Sequence, residues 1–162
     1  MTNSILTHEQ VQAKIKRLAA QVYECFCEQP QAFLMIGIQG NGEALAAAIT
    51  EHLPLPCRMA SLSINKKNPG AAPISLSIDA KDIPPLVVLV DDVCNTGSTL
   101  FYAAAGLLSH GVSTIKTVVL IDRYHRRFPI STDFVGLSLA TTLQSHIRVE
   151  HENNQWLALL EN

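Results

Sequence analysis

A parallel β-sheet covered by helices on both faces is the fold class this sequence predicts, and three observations predict it. Between residues 32 and 121, short apolar runs alternate with helical patterns, as in successive β–α–β units. The run Val87-Val88-Leu89-Val90 is continuously apolar, as expected of a strand buried on both sides. Two apolar runs lead into small-residue turns that open helical patterns, Gln39-Gly40-Asn41-Gly42 and Asn95-Thr96-Gly97-Ser98-Thr99.

The elements follow in order. Thr7 with Gln10 makes a capping box and Leu6 with Val11 a hydrophobic staple. Val11, Ile15, Leu18, Ala19, Val22 and Phe26 then recur at helical spacing, so residues 8–28 are predicted to be an amphipathic helix that Gln29-Pro30 ends. Residues 32–38 read as a buried strand, 39–42 as a turn, and 43–52 as an Ala-rich helix stopped near Pro54. Residues 57–64 alternate like a strand, 65–73 have the Lys, Asn, Pro and Gly content of a mobile surface loop, and 74–78 read as the return strand of a hairpin. Strand 86–90 follows, then a helix over 97–110 with Gly111 as its C′ residue, then strand 115–121. Beyond it come only short apolar pieces, 134–135, 147–149 and 156–160, Trp156 being a core or subunit-interface residue.

No repeat, low-complexity tract or linker interrupts the 162 residues, so 1–162 reads as one domain. Hydrophobic residues make up 48% and charged residues 16%, which excludes a disordered chain. A net charge of −2 gives no broad electrostatic footprint for nucleic acid. The four cysteines lack disulfide-framework, redox or zinc spacing and read as reduced thiols. The five histidines outside segment 119–130 show no ligand spacing and read as surface or capping residues. With no signal-peptide pattern and no run near the 20 residues that span a bilayer, a soluble, cytoplasmic protein without a membrane partner is expected.

The chemistry concentrates where strand 86–90 meets Asp91 and Asp92. Two adjacent carboxylates repel, and burying them is costly unless cations or donors meet them. The turn after them offers backbone N–H groups freed by Gly97, hydroxyls from Thr96, Ser98 and Thr99, and a helix N-terminus, which together suit a phosphate. The plainer alternative is an ordinary turn with a solvated acid pair. In the same way Gln39, Gly40, Asn41 and Gly42 either admit an anion to a helix N-terminus or make a tight turn for steric reasons alone.

Residues 87–99 resemble the 5-phosphoribosyl-1-pyrophosphate (PRPP) signature of the type I phosphoribosyltransferases: hydrophobic strand, two acids, then Thr-Gly-x-Thr. The resemblance implies that family's fold, a parallel α/β sheet flanked by helices with a small hood made by the N- and C-terminal pieces. It implies that Asp91 and Asp92 hold the ribose diol, directly or through Mg²⁺ bound to them or to their waters. On the same comparison Asn95, Thr96, Gly97, Ser98 and Thr99 cradle the 5′-phosphate, and Gln39 to Gly42 hold the pyrophosphate. Loop 65–73 corresponds to a flexible cover in which Lys66 and Lys67 either neutralise pyrophosphate or remain solvated.

Residues 119–130 with Asp133-Phe134-Val135-Gly136 are similar to the bacterial bifunctional pyrimidine operon regulators, which are also uracil phosphoribosyltransferases, and the likeness covers nearly the whole chain. It implies transfer of a phosphoribosyl group from PRPP to a free nucleobase, uracil, by a homodimer or higher homo-oligomer. Residues 122–130, with Asp122, Arg123 and Tyr124 as the base-binding candidates, then lie near the base, largely through backbone groups. The alternative for Arg123, His125, Arg126 and Arg127 is a solvated basic rim. The other functions compatible with the resemblance are an RNA-binding, nucleotide-sensing regulator and a purine phosphoribosyltransferase. Three departures mark this chain: Gly40-Asn41 replaces a Thr-Arg pair, Asn65-Lys66-Lys67-Asn68 replaces an aromatic-Arg-acidic-acidic run, and Lys16 and Ala20 stand where Thr and His face RNA beside Arg17.

Overall fold

In the computed structural model, which describes residues 2–28 and 31–161, two sheets share the chain. The larger has six strands, β2 (Leu34–Ile38), β3 (Arg58–Ser63), β4 (Ser75–Leu76), β5 (Leu86–Cys94), β6 (Thr114–Asp122) and β7 (Phe134–Ser138), in the order β4-β3-β2-β5-β6-β7. Every pairing in it is parallel except β3 with β4, the hairpin expected at 74–78. The smaller sheet is antiparallel: β1 (Thr2–Leu6), β9 (Gln155–Glu161) and β8 (His146–Glu152) in the order β1-β9-β8. It joins the two ends of the chain as the expected hood.

Strand alternation sorts the core into two layers. Met35, Val88 and Val90 point toward α1 (His8–Phe26) and α2 (Asn41–Glu51), while Leu34, Ile36, Ile38, Val87 and Leu89 point toward α3 (Ser98–Leu108). The capping box that begins α1 is formed, with Gln10 Oε1 accepting from the Thr7 N–H at 2.9 Å and Thr7 Oγ1 from the Gln10 N–H at 3.4 Å. The predicted stop at Gln29-Pro30 lies outside the described residues; α1 itself ends at Phe26. Val149, Trp156 and Ala158 of the hood sit in the same buried cluster as α1 and the central strands.

Several boundaries differ from expectation, and for the first two the reason is non-local. Residues 2–6 form β1 because β9 supplies a backbone partner for a polar stretch that carries no strand pattern of its own. β5 continues through Asp91 and Asp92 to Cys94, since β6 runs alongside and pairs with Asp91, Val93 and Cys94. α2 begins at Asn41 rather than at residue 43. α3 ends at Leu108, and Gly111, at φ +81°, turns the chain two residues past the C-cap Ser109 rather than one.

The topology fixes where a ligand belongs. From β2 the chain winds outward to β3, then returns to β5 on the other side of β2 and winds on to β6 and β7. The reversal lies between β2 and β5, and open α/β sheets bind ligands outside the carboxyl ends of strands at such a switch point.

Candidate functional site

Both glycine-containing turns and the acid pair meet at that switch point. Gly37 of β2 is in register with Val90 of β5, so turn 39–42 stands beside Asp91. Gly42 permits the close approach: a Cβ there would lie 2.8 Å from the Val90 carbonyl oxygen. α2 and α3 both start here, from Gly40 and Gly97, and neither N-cap contributes a side-chain hydrogen bond, in contrast with the boxed start of α1. Helix N-termini of this kind carry unsatisfied donors and partial positive charge.

Asp91 is 2% exposed and, among the described residues, its carboxylate is met by a single cation, Lys66, whose Nζ donates to Asp91 Oδ1 at 2.9 Å and lies 3.7 Å from Asp92 Oδ1. Backbone N–H groups also donate into the pair, from Asp92 to Asp91 Oδ1 at 3.0 Å and from Val93 to Asp92 Oδ1 at 2.9 Å. Burial pushes the Asp91 carboxyl up to about 7, helped by the charge of Asp92 and opposed by Lys66. Burial alone would lower the Lys66 pKa, but the two carboxylates outweigh it and hold the ammonium charged.

Asn41 stands in the 39–42 turn where the resemblance placed a guanidinium, and its amide is committed. It donates to Asp92 Oδ2 at 3.1 Å and to the Val149 carbonyl at 2.7 Å, tying the acid pair to hood strand β8. Gln39 Oε1 accepts from Ser63 Oγ at 2.7 Å, which anchors the same turn to the end of β3.

The second turn encloses a cavity of about 70 Å³ lined by Asp91 and by residues from Val93 to Leu100, among them Asn95, Thr96, Gly97, Ser98 and Thr99. Gly97 is left-handed at φ +83°, and a Cβ there would meet Ile130 Cγ2 at 2.5 Å. Thr96 organises the turn: its Oγ1 accepts from the Ser98 N–H at 3.2 Å, and its carbonyl accepts from the N–H groups of Arg127 and Phe128 at 2.9 and 3.2 Å. The result is a small pocket with acid at one wall and hydroxyls and N–H donors at the other.

Segment 122–130 forms the next wall. Asp122 is fully buried and its carboxylate is saturated, accepting from Arg126 at 3.0 and 2.6 Å, from Thr132 Oγ1 at 2.5 Å and from the Tyr124 N–H at 2.9 Å. Burial would raise its pKa, but these donors win and hold it below the ordinary carboxylate value. Arg123 belongs to no solvated rim: it is 3% exposed and donates to Thr141 Oγ1 and to the carbonyls of Thr142 and Ser145, fixing loop 139–145. Tyr124, at φ +57° and 63% exposed, has its ring 5.9 Å from the Arg126 guanidinium. A cavity of about 370 Å³ lies beside the turn, lined by Asn95, Thr96, Tyr124, His125, Arg126, Arg127 and Leu143.

The candidate residues around Asp91, Asp92 and 95–99 therefore share one cleft with Asn41 and Lys66, and Tyr124 lines the adjoining cavity. The side chains of Asp122 and Arg123 hold that wall in shape. Leu143 had no place among the candidates, and Arg126 entered only as part of segment 122–130. An isolated leucine in Thr141-Thr142-Leu143-Gln144-Ser145 gives no local signal, and Arg126 only gains meaning once Asp122 and the Asn95 carbonyl, 3.2 Å away, are its neighbours. Arg17, a candidate RNA-facing residue, donates to the Val135 carbonyl at 3.1 Å and to that of Gly136.

Residues 1–153 match the family described as "Phosphoribosyl transferase domain". The chain is similar to "Bifunctional protein PyrR" of Haemophilus ducreyi, 28% identical over 94% of this chain and 92% of that protein. It is 32% identical to the protein of the same name from Geobacter sulfurreducens, over 85% and 86% of the two chains. Among solved structures it resembles the hypoxanthine phosphoribosyltransferase of Trypanosoma cruzi, with TM-score 0.73, 18% identity and coverage of 96% and 95%. A hypoxanthine-guanine phosphoribosyltransferase of Bacillus anthracis gives TM-score 0.70 at 20% identity, with coverage of 85% and 82%.

Proposed function

We infer the reaction from the family to which this chain belongs, the phosphoribosyl transferases. The chain transfers the phosphoribosyl group of PRPP to a free nucleobase and releases pyrophosphate; uracil is the base we propose. The observation that carries this reading is the acid pair near the end of β5, Asp91 buried and Asp92 partly so, standing between two uncapped helix starts at the switch point of the sheet. In this reading residues 95–99 hold the 5′-phosphate, turn 39–42 faces the pyrophosphate, and the cavity beside Tyr124 and Leu143 receives the base.

The chemistry asks for no protein nucleophile. The bond from ribose C1 to pyrophosphate breaks with its electron pair leaving on pyrophosphate. A ring nitrogen of the base bonds to C1 and releases its proton to water or to the departing pyrophosphate, and positive charge builds on the sugar between the two events. Asp91 and Asp92 stabilise that charge, and the two turns align the reacting atoms. The pair also suits Mg²⁺: both Oδ1 atoms already converge on one positive group, and Mg²⁺ commonly takes one or two carboxylates and completes its shell with water and phosphate oxygens. Bound there, directly or through water, Mg²⁺ would neutralise the departing pyrophosphate. With the turn lacking a guanidinium, we propose modest turnover and a high KM for PRPP.

A second reading is a nucleotide-sensing regulator that binds RNA, which the printed name of the relatives, "Bifunctional protein PyrR", keeps in play. The commitment of Arg17 to β7 carbonyls weighs against it, leaving Lys14 and Lys16 as the basic residues of that stretch of α1. A cytoplasmic homo-oligomer is part of the proposal. No helix among the described residues is long and apolar enough to cross a membrane. Pyrophosphate release from PRPP and Mg²⁺ against a panel of free bases tests the reading: uracil should be the best acceptor. A preference for hypoxanthine or guanine would transfer the proposal to purine salvage. No turnover with any base, together with tight binding of a specific RNA, would replace it with the regulator.

A further inference from the structure

We propose that Lys66 is a tethered counter-ion that keeps free divalent metal off the acid pair, so that metal enters the site only together with the substrate's phosphates. This deepens the reading above and rests on it, since it takes Asp91 and Asp92 as the pair that receives the metal.

The geometry is one of direct competition. Lys66 Nζ lies 2.9 Å from Asp91 Oδ1 and 3.7 Å from Asp92 Oδ1, on the two carboxylates that would hold the metal. An ammonium and a divalent ion cannot both sit at contact distance from those atoms without strong mutual repulsion. Lys66 is delivered there by a built turn, because Asn65 Oδ1 accepts from the Lys67 and Asn68 N–H groups at 3.0 and 3.1 Å. The strand that feeds this turn is held to the pyrophosphate-facing turn through Ser63 and Gln39.

The arrangement is also exchangeable. Asp91 is almost wholly buried, yet the Lys66 side chain remains 43% exposed, on a segment between β3 and β4 that belongs to no helix or strand. The ammonium has no reason to leave while the two carboxylates are its anionic partners among the described residues. A pyrophosphate group brings several negative charges within reach and offers Lys66 a new partner. The metal can then take over the carboxylates. A lysine that merely stabilised the fold would show no such dependence on phosphate.

Mn²⁺ titration of the intact chain, read by calorimetry or by electron paramagnetic resonance, tests this without turnover. The expected result is that Lys66→Met and Lys66→Gln bind Mn²⁺ at least tenfold more tightly than the wild type when PRPP is absent. Lys66→Arg should behave like the wild type, and adding Asp91→Asn to Lys66→Met should abolish the gained site. With PRPP present and no base, the wild type should take up Mn²⁺ as readily as Lys66→Met. Equal Mn²⁺ affinity of wild type and both neutral variants without PRPP would overturn the role of Lys66 while leaving the metal-binding pair intact. No Mn²⁺ uptake by either neutral variant, even with PRPP bound, would overturn the pair as a metal site and this proposal with it.

Discussion

At the scale of the residue, Asp91 carries a cost of burial. Its folded-state pKa, about 7, lies above the ordinary carboxylate value of 3.8. A carboxyl raised in this way contributes stability that is complete below its unfolded pKa and is lost as pH climbs through the folded one. Asp91→Asn removes that loss, so the variant should be more stable than the wild type at pH 8, by about 1–2 kcal/mol. The gain should shrink toward pH 4, and PRPP binding should collapse at every pH. Thermal unfolding across that range checks the first part; a variant less stable at pH 8 would show that the Lys66 pair outweighs the burial. The two acids and the Thr-Gly-Ser-Thr turn could be read straight from sequence because they are contiguous. Lys66 at Asp91, 25 residues away, and Asn41 at Asp92, 51 residues away, depend on strand register and could not.

At the scale of the element, the two βα turns behave as fitted parts. Gly97 combines a left-handed backbone with a Cβ position already filled by Ile130. Gly97→Ala should therefore cost about 1–3 kcal/mol of stability and raise the KM for PRPP more than it lowers kcat. Asn41→Ala should cost about 1 kcal/mol, since two hydrogen bonds are lost at a partly exposed site, and should also raise that KM. Unchanged KM in both variants would separate the turns from PRPP. Helix α1 was legible because its period and its capping box are local. The extent of β5 was not, because pairing with β6 carries the strand on through two charged residues. Nor was β1, whose polar residues become a strand only through β9.

At the scale of the whole molecule, the hood is joined to the main sheet by shared core rather than by a linker. Val149, Trp156 and Ala158 pack in the cluster that also holds Val11, Ile15 and Leu18 of α1 and Met35, Val88 and Val90 of the sheet. Residues 1–162 should therefore unfold as one domain, in a single calorimetric transition, and Trp156→Ala should lower the whole transition by about 3–5 kcal/mol. Two separated transitions, or one that leaves the main sheet untouched, would divide the hood from the rest. Trp156 was readable as buried from its apolar neighbours, whereas the pairing of the chain's two ends that buries it was visible only in the fold. The proposed role of the acid pair of β5 in phosphoribosyl transfer is open to one direct measurement. Purified chain incubated with PRPP, Mg²⁺ and isotope-labelled uracil should yield labelled uridine monophosphate with one pyrophosphate released per nucleotide. The Asp91→Asn, Asp92→Asn double variant, folded by circular dichroism, should make at least 100-fold less. Nucleotide formation at the wild-type rate by the double variant, or none by the wild type with uracil or any other base, would contradict it.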